Sequence, residues 1–480
     1  MTVASTEPLG ASAADCVEDR VLPGGWYTLF AMLIVTMFAF INRYLLILAA
    51  QPLAATLKLS DSQLGIVQGL AFTIFTIVAV YPIAWLADRY DRRLILGACL
   101  VCWSFGTAAC GFAQNFEQVL VAAIAIAAGE AALAPLITSF IPDLFKGRKR
   151  VLANGLQYFF GFVGISVALA AGGAAIGYLD RVHPQLPVSL QQFESWRLAF
   201  FAVVVPTPIL LLLIASMRLR RPESVSPNAA NGGTSSTLLA SGSSFGKLLS
   251  EHRRAYVGVL GGLGFYTLAF GGFLIWLPLI ATRLFGATPE TNGYAMGLAT
   301  GIGMIGGVFV STLIPRHYLP RIGPRTPVLM AWSISLVTMP VLFVVPFASS
   351  VTMLYICFGV MMFGGTAIGV LVATMLQDMA PSFFRARFLA IWGIISLLLA
   401  GSAPTLTGFI SNLLSGERGL LYALVIVAMP AWLVAAALLR FGESRFEALT
   451  RAVAAAEQQS FGITSRTVPH LTLRRRPADA

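Results

Sequence analysis

The amino-acid sequence predicts an all-α integral membrane protein, with twelve transmembrane helices arranged in two six-helix bundles. Of its 480 residues, 57% are hydrophobic and only 11% are charged, whereas soluble domains carry about 25% charged residues. The apolar residues form twelve runs, each close to the roughly 20 residues that a helix needs to cross the hydrocarbon core. A polar segment rich in Gly and Ser separates the sixth run from the seventh, which is typical of a flexible linker.

The order of the apolar runs divides the chain into five segments. Residues 1–25 form an N-terminal tail, 26–217 the first bundle, 218–254 the linker, 255–440 the second bundle and 441–480 a C-terminal tail. The N-terminal tail is acidic, unlike the basic start of a signal peptide, so we expect the first span to be retained. The predicted spans are residues 26–49, 64–86, 94–113, 119–140, 151–178, 197–217, 256–281, 292–314, 327–347, 353–376, 388–414 and 419–439.

Lys and Arg are distributed unevenly between the loops. The even-numbered loops, including the linker, contain 18 of them and the odd-numbered loops contain five. Because basic loops stay on the cytoplasmic side, this bias predicts a multi-pass protein of the cell (inner or plasma) membrane with both termini cytoplasmic. It also accounts for the net charge of +11 without a nucleic-acid partner, since the basic residues form no patch with interleaved aromatic residues.

Two charged side chains lie well inside predicted spans, Arg43 in the first and Glu130 in the fourth. At about 1.5 Å per helical residue, both fall in the outer half of the bilayer, where they can meet. The functional interpretation is a substrate or proton site, in which protonation of Glu130 releases Arg43 to hold an anionic head group. The structural alternative is a permanent ion pair that only fixes helix packing. Asn42, beside Arg43, fits either interpretation.

The turn between predicted spans 2 and 3 is short and strongly charged. Asp88 ends the second span, and Arg89, Arg92 and Arg93 follow it. An acid at the end of one helix can accept hydrogen bonds from the turn and from a neighbouring helix terminus, which would lock this side shut in one conformation. We therefore predict a conformational gate here. A plain basic loop that only sets the topology is the alternative.

Other polar and aromatic side chains in the spans are candidates for lining a cavity. Aromatic residues in spans more often pack or anchor the helix at the interface, and polar ones also form interhelical hydrogen bonds. The sequence has no HExxH or Walker pattern, so it predicts no enzyme active site, no cofactor and no metal site. The cavity candidates are Gln68, Tyr266, Phe270, Trp276 and Thr366.

The turn Leu86-Ala-Asp-Arg-Tyr-Asp-Arg-Arg93 resembles the signature between spans 2 and 3 of the major facilitator superfamily. The usual glycines are replaced by Ala84 and Asp91, so the turn is a variant. Within that superfamily the chain is similar to the spinster group, mainly through its first half. The segments that carry this resemblance are Asn42-Arg43, Ser62-Gln-Leu-Gly65, residues 82–90, Gly129-Glu-Ala131, Asp143-Leu-Phe145 and residues 196–201.

The resemblance implies a mechanism and a substrate class. It implies alternating access about a central site lined by spans 1, 4, 7 and 10, export of lysophospholipids or phosphorylated sphingoid bases, and proton coupling in bacterial relatives. The spinster group usually has an acid before the arginine of span 1 and an arginine seven residues before the glutamate of span 4. These positions are Asn42 and Ala123 in this chain, which leaves both proton coupling at Glu130 and uniport open.

Three kinds of function remain open at the level of the sequence. The preferred one is a secondary active transporter of a small amphiphilic organic anion, such as a lysolipid or organic acid, by symport or antiport with protons. The second is a transporter-like sensor or receptor that does not transport, or a uniporter of a neutral small molecule. The third is an integral-membrane enzyme acting on lipids, which would need a nucleophile or a metal cluster at the interface; none is evident in the sequence. The expected partners are a small-molecule substrate, the bilayer and, in a coupled mechanism, protons; we expect a monomer.

Overall fold

The computed structural model describes residues 21–131, 133–217, 249–414 and 416–466. Most of the predicted N-terminal tail and linker, and the end of the C-terminal tail, lie outside these residues, so their predicted boundaries stay predictions. Within the described part the secondary structure is helical, apart from an isolated bridge between Val21 and Phe145. The all-α prediction is therefore confirmed.

Twelve helices in the described residues are long and apolar enough to cross a membrane, as the sequence predicts. We number them as spans 1 to 12 and call the side of the loops between spans 1 and 2, 3 and 4, and so on, the odd side. The opposite side is the even side. The spans are Gly25–Leu48, Asp61–Ala87, Arg92–Phe112, Phe116–Leu144, Leu152–Gln185, Ser195–Ser216, Arg253–Phe285, Pro289–Tyr318, Thr326–Phe347, Val351–Met379, Phe388–Leu413 and Gly419–Ala455.

Several spans consist of more than one helical segment, and short helices occur between spans. Two spans begin with a standard N-terminal cap. Ser60 and Gln63 form a capping box at the start of span 2, and Asn115 caps span 4. A π-helical segment, Ile66–Ala71, interrupts span 2. The remaining α-helical segments are Ala50–Leu57, Asp61–Gly65, Phe72–Arg89, Phe116–Glu130, Leu133–Leu144, Gly147–Val182, Val188–Gln191, Ser195–Val204, Thr207–Ser216, Pro289–Ile322, Thr326–Thr338, Pro340–Val344, Ser382–Leu413 and Gly419–Arg466, with 3₁₀ turns at His183–Gln185 and Val345–Phe347.

Contacts between helices divide the chain into two compact units. Unit 1 comprises Met1–Ser224, Ile275–Gly301 and Ser415–Glu417, and unit 2 comprises the rest. In unit 1, span 1 packs on span 5, span 3 packs on spans 4 and 6, and span 2 packs on span 4. Unit 1 also includes the odd-side ends of spans 7 and 8. The predicted segment boundaries follow chain order, whereas these units follow spatial contact.

In unit 2, span 9 packs on spans 10 and 12, and span 11 packs on span 12. The indole Nε1 of Trp432 donates to the backbone oxygen of Ser335 at 2.9 Å, which joins spans 12 and 9. The last helix continues beyond the apolar run to Arg466. Its extension packs within unit 2, because Phe446 and Leu449 are fully buried and Glu443 lies 3.6 Å from Arg325 at the start of span 9.

Candidate functional site

The two charges predicted inside spans lie close together in unit 1. The guanidinium carbon of Arg43 lies 4.3 Å from the centre of the Phe72 ring, a cation–π contact that partly offsets the cost of the charge. Glu130 is close enough to Arg43 to interact with it electrostatically. Its Oε1 is buried and has no hydrogen-bond partner among the described residues, and neither residue takes part in an ion pair of that part of the chain. The two charges therefore interact without a close ion pair in the described residues, and both the functional and the structural interpretation stay predictions.

Two amide side chains, on the helices that carry Arg43 and Phe72, also have unused hydrogen-bonding atoms. Asn42 is buried and donates from Nδ2 to the Phe38 backbone oxygen at 2.7 Å. Gln68 lies on the π-helical segment and donates from Nε2 to the Leu46 backbone oxygen at 3.4 Å. The amide oxygens of both side chains are buried and accept no hydrogen bond from any described residue. Because buried acceptors are nearly always paired in folded proteins, these oxygens mark a site where a ligand or water can donate.

Tyr44 was not predicted from the sequence, and the structure places it beside the charged residues. Tyr44 is 5% exposed and interacts electrostatically with both Arg43 and Glu130. Its position directly after Arg43 was the available signal, but an aromatic residue in a span is more often a packing residue. Its hydroxyl adds a polar group to the site formed by Asn42, Arg43, Gln68 and Glu130, which we call the unit 1 polar site.

The charged turn between spans 2 and 3 contains several of the contacts expected of a gate. Arg92 forms an ion pair of 2.9 Å with Asp143 at the end of span 4. Arg93 pairs with Asp91 at 2.7 Å and donates to the backbone oxygen of Met217 at the end of span 6. Arg89 instead lies over the ring of Trp85 at 3.8 Å, and the side chain of Asp88 lies outside the described part of the structure. The turn therefore ties spans 3, 4 and 6 together on the even side, and its gating role stays a prediction.

The other predicted cavity residues are well packed. In unit 2, Tyr266 stacks on Phe270 with ring centres 6.3 Å apart and contacts Trp432 edge-on at 4.8 Å. Its buried hydroxyl has no hydrogen-bond partner within the described residues. Thr366, also in unit 2, is 5% exposed, and Trp276, in unit 1, is 1% exposed. Burial alone does not separate packing from cavity lining, so the cavity role of Trp276 and Thr366 stays a prediction, as does a polar role for the unpaired hydroxyl of Tyr266.

Arg197 at the start of span 6 has a structural role that was not predicted from its place in the sequence. Its side chain is 10% exposed, and its Nε donates to Glu194 at 2.5 Å. Its Nη1 donates to the backbone oxygens of Gly111 and Ala113 at 2.8 and 2.6 Å. The last carbonyls of a helix have no partner within the helix, so Arg197 completes the end of span 3. The segment Trp196-Arg-Leu-Ala-Phe-Phe201, which carries part of the family resemblance, was the available signal.

Ion pairs on the odd side of unit 1 connect spans that are distant in the sequence. Arg283 at the end of span 7 pairs with Asp61 at the start of span 2 at 2.7 Å and donates to Gln51 at 3.1 Å. Arg181 on span 5 pairs with Glu290 at the start of span 8. From the sequence these residues were interpreted only as loop charges. Their pairing holds the odd-side ends of spans 7 and 8 against spans 2 and 5.

We expect the pair of Asp61 and Arg283 to show coupling in a double-mutant cycle. Arg283→Glu places two acids together and should lower the free energy of unfolding by about 1 kcal/mol, since exposed pairs contribute roughly 0.2–1 kcal/mol. The reversed pair Asp61→Arg with Arg283→Glu should recover at least half of that loss. Chemical unfolding of the four proteins in detergent measures the coupling, and additive losses would show that the two charges do not interact.

Spans 5 and 8 approach each other closely at two glycines of unit 1. A β carbon added to Gly173 would lie 2.7 Å from the Cα of Gly293, and one added to Gly293 would lie 2.5 Å from the backbone oxygen of Leu169. The Ser166 hydroxyl donates to the backbone oxygen of Gly297 at 2.5 Å, one turn further along span 8. Small residues permit such close packing between helices in membranes.

Gly173→Ala should therefore destabilise the protein, although alanine favours a helix over glycine by about 1 kcal/mol. Forcing a methyl group into a packed contact costs roughly 1–3 kcal/mol, so we expect a lower thermal midpoint in detergent. Gly161→Ala on the same span is the matched control, because its added β carbon meets no atom within 4 Å; its midpoint should stay the same or rise. Equal effects of the two substitutions would contradict the close packing of spans 5 and 8.

Metal-binding clusters are absent from the described residues, where no three side chains of His, Cys, Asp and Glu come together. The described cysteines, Cys99, Cys102, Cys110 and Cys357, are free thiols. The unit 1 polar site therefore consists of one guanidinium, one carboxyl group, two amides and one phenol, arranged inside membrane-spanning helices. Such a set can bind a charged or hydrogen-bonding group and exchange a proton.

Comparison with known proteins decides the family. The sequence model of the Major Facilitator Superfamily matches residues 32–339. The chain belongs to the Major Facilitator Superfamily. Membership in this superfamily of membrane transporters confirms that the chain is a transporter-type protein and not an enzyme.

Relatives within the superfamily confirm the resemblance to the spinster group. An "MFS-type efflux pump" of Mycolicibacterium smegmatis is 24% identical over 86% of this chain and 90% of its own length. "Protein spinster homolog 3" of Danio rerio is 25% identical over 62% of this chain and 58% of its own length. Among solved structures, a bacterial homologue of the human lysosomal transporter spinster is 21% identical, covers 91% of this chain and 99% of its own, and has a TM-score of 0.70.

Members with other names share the same fold. A D-xylose-proton symporter aligns with a TM-score of 0.63 at 15% identity and covers 85% of this chain and 97% of its own. Because proteins named as an efflux pump, as spinster homologues and as a sugar symporter resemble this chain, the fold of this superfamily member does not specify its substrate. The substrate must be inferred from the side chains of the site.

Proposed function

We propose that this superfamily member is a secondary active transporter that moves a small amphiphilic organic anion, such as a lysolipid or organic acid, by alternating access. The observation that carries the proposal is the buried, unpaired carboxyl oxygen of Glu130 close to the guanidinium of Arg43. Charged groups are costly inside a membrane and usually mark a substrate or proton pathway. The relatives named as an efflux pump and as spinster homologues support the same class of activity.

Arg43 supplies the charge that holds the anionic group of the substrate. A guanidinium binds carboxylates and phosphates through charge-assisted, often bidentate hydrogen bonds. Ionised Glu130 competes with the substrate for Arg43, whereas protonated Glu130 leaves Arg43 free. Proton uptake and anion binding are thereby coupled at one pair of residues. The unpaired oxygens of Asn42 and Gln68 accept hydrogen bonds from the head group or from its water.

Contacts on the two sides of the membrane provide the gates in this mechanism. The turn of Arg92 and Arg93 fastens spans 3, 4 and 6 on the even side, and the pairs of Asp61 with Arg283 and of Arg181 with Glu290 fasten the odd side of unit 1. Alternating access requires that such contacts break and re-form as the site changes sides. Each pair contributes little energy on its own, which suits a reversible gate.

Uniport is the second candidate function, and one specific observation favours it. Asn42 and Ala123 stand where the spinster group usually has an acid and an arginine, so Glu130 is the single carboxyl group identified in the unit 1 polar site. A uniporter requires no proton exchange and would transport at the same rate with or without a pH gradient. Flux measured in proteoliposomes with and without that gradient distinguishes the two mechanisms, and binding without flux would indicate a sensor.

The location and orientation follow from the distribution of basic residues. We propose an inner or plasma membrane protein that acts as a monomer, with both termini and the even side in the cytoplasm. The 18 to five ratio of basic residues in the loops supports this orientation. Cysteine labelling with a membrane-impermeant reagent at an odd-side position, such as Glu417→Cys, should succeed from outside the cell. Labelling of an even-side position from outside would contradict the orientation.

Ligand-dependent thermal unfolding of the purified protein tests the substrate class. A ligand that binds the folded state raises the unfolding midpoint. We expect stabilisation by lysolipids and organic acids that combine an anion with an apolar body, its loss in Arg43→Ala, and its retention in the control Arg150→Ala. Stabilisation by sugars, cations or neutral sterols alone would contradict an anionic substrate.

A further inference from the structure

A membrane-facing groove on unit 1 lies apart from the polar site, between spans 3 and 4. It has a volume of about 700 Å³, within the roughly 300–1,000 Å³ typical of small-ligand sites. Its residues recur three and four positions apart on each helix, so they share one face of each span. The groove is lined mainly by Phe105, Ala108, Ala109, Phe112, Val121 and Ala125.

The shape of the groove results from the close packing of its two helices. A β carbon at Gly106 would lie 2.7 Å from the backbone oxygen of Ala122, so the floor is held by backbone contact. The thiol of Cys102 donates to the backbone oxygen of Ala125 at 3.4 Å and also joins the two helices. Exposed Phe105 and Phe112 form a wall. An apolar channel with a fixed floor and aromatic wall suits a flexible hydrocarbon chain.

The groove fits one leaflet of the bilayer. Phe105 and Phe112 are seven residues apart, which corresponds to about 10 Å of helix, and one leaflet contributes about 15 Å of the hydrocarbon core. Both helices cross the membrane by length and hydropathy, so lipid chains are the apolar molecules that meet this surface. The groove extends along the two helices as far as the turn between spans 3 and 4, where Gln114 and Glu117 line it.

Polar groups at that turn determine which head group is favoured. Gln114, Glu117 and Gln118 line the mouth of the groove. Gln118 accepts from the Gln114 backbone N–H at 2.8 Å and is held in place. Glu117 is exposed and takes part in no ion pair among the described residues. Its carboxylate repels an anionic head group and attracts an ammonium that can donate hydrogen bonds.

We propose that this groove binds one acyl chain of a phospholipid whose head group carries a primary ammonium, with that ammonium against Glu117. The lipid occupies a site distinct from the transport pathway and contacts spans 3 and 4 only. Phosphatidylethanolamine has the required chemistry. Phosphatidylcholine has no ammonium hydrogen to donate, and phosphatidylglycerol is anionic.

Native mass spectrometry of the delipidated full chain tests the proposal, with each of these three phospholipids added in detergent. The wild type should retain phosphatidylethanolamine about fivefold better than the other two, as an exposed ion pair allows. Glu117→Gln should remove this preference, whereas Glu417→Gln, another exposed odd-side acid, should keep it. Ala109→Leu should reduce retention of all three lipids, and Ala215→Leu on the exposed face of span 6 should not.

Several results would overturn the lipid site. Equal retention of the three lipids by the wild type, or an unchanged preference in Glu117→Gln, would show that Glu117 does not recognise the head group. A dimer that dissociates in Ala109→Leu would show that a second copy covers the groove. Glu117→Gln changes one exposed side chain without changing its size, so the test stands even if Ala109→Leu fails to fold.

Discussion

Arg197→Ala should lower the free energy of unfolding by about 3 kcal/mol or more, because this arginine is buried and joins two spans. The substitution leaves the backbone oxygens of Gly111 and Ala113 without their donor, and each buried unpaired group costs roughly 1–3 kcal/mol. It also leaves Glu194 without its partner. Chemical unfolding of the purified protein in detergent measures the loss, which should appear together with a lower thermal midpoint.

Two further variants separate hydrogen bonding from charge at this position. Arg197→Lys keeps the charge but lacks the planar fork of donors, so its stability should lie between those of the wild type and Arg197→Ala. Arg451→Ala removes an arginine that is 77% exposed and should change the free energy of unfolding by less than about 0.5 kcal/mol. An effect of Arg197→Ala as small as that of Arg451→Ala would contradict the capping role.

Glu130→Gln should remove the pH dependence of anion binding and abolish proton-coupled flux, while the protein still folds. In the wild type, ligand-induced stabilisation should increase as the pH falls, because protonation of Glu130 removes the charge that competes for Arg43. Glutamine resembles the protonated acid, so the variant should bind the anion at neutral pH as strongly as the wild type does at acidic pH. Thermal unfolding with and without the anionic ligand, at acidic and neutral pH, measures both effects.

The matched control for this experiment is Glu417→Gln, which removes an exposed acid outside the unit 1 polar site. It should keep the pH dependence of the wild type. Arg43→Ala should lose anion binding at every pH, since it removes the group that Glu130 controls. A Glu130→Gln protein that retains the pH dependence would show that another group takes up the proton, and would leave Arg43 as a simple anion site.

The unit 1 polar site also distinguishes this chain from the usual pattern of the spinster group. Asn42 cannot carry a charge, and its amide oxygen is buried and unpaired in the described structure. Tyr44 interacts with both remaining charges, and Gln68 bonds to the backbone of span 1 at Leu46, about one turn beyond Arg43. Asn42→Asp places an acid where the spinster group usually has one. If proton exchange occurs at this site, the substitution should make anion binding depend more strongly on pH.

The sequence by itself determined the fold class, the number of spans and the presence of two opposite charges inside them. It could do so because hydrocarbon thickness fixes the length of a span and because charges are rare in that environment. It also identified the turn of Arg92 and Arg93 as a charged connection. These features depend on composition and local order along the chain.

The tertiary structure decided which distant residues meet. Asp61 and Arg283 are 222 positions apart, and Gly173 and Gly293 touch through backbone atoms, so no local pattern reveals either contact. In the sequence Arg197 looks like an ordinary loop arginine, and only the structure shows that it contacts the end of span 3. The hydropathy of a segment indicates whether it can cross the membrane. Helix packing determines which buried polar atoms lack a hydrogen-bond partner, and those atoms define the site.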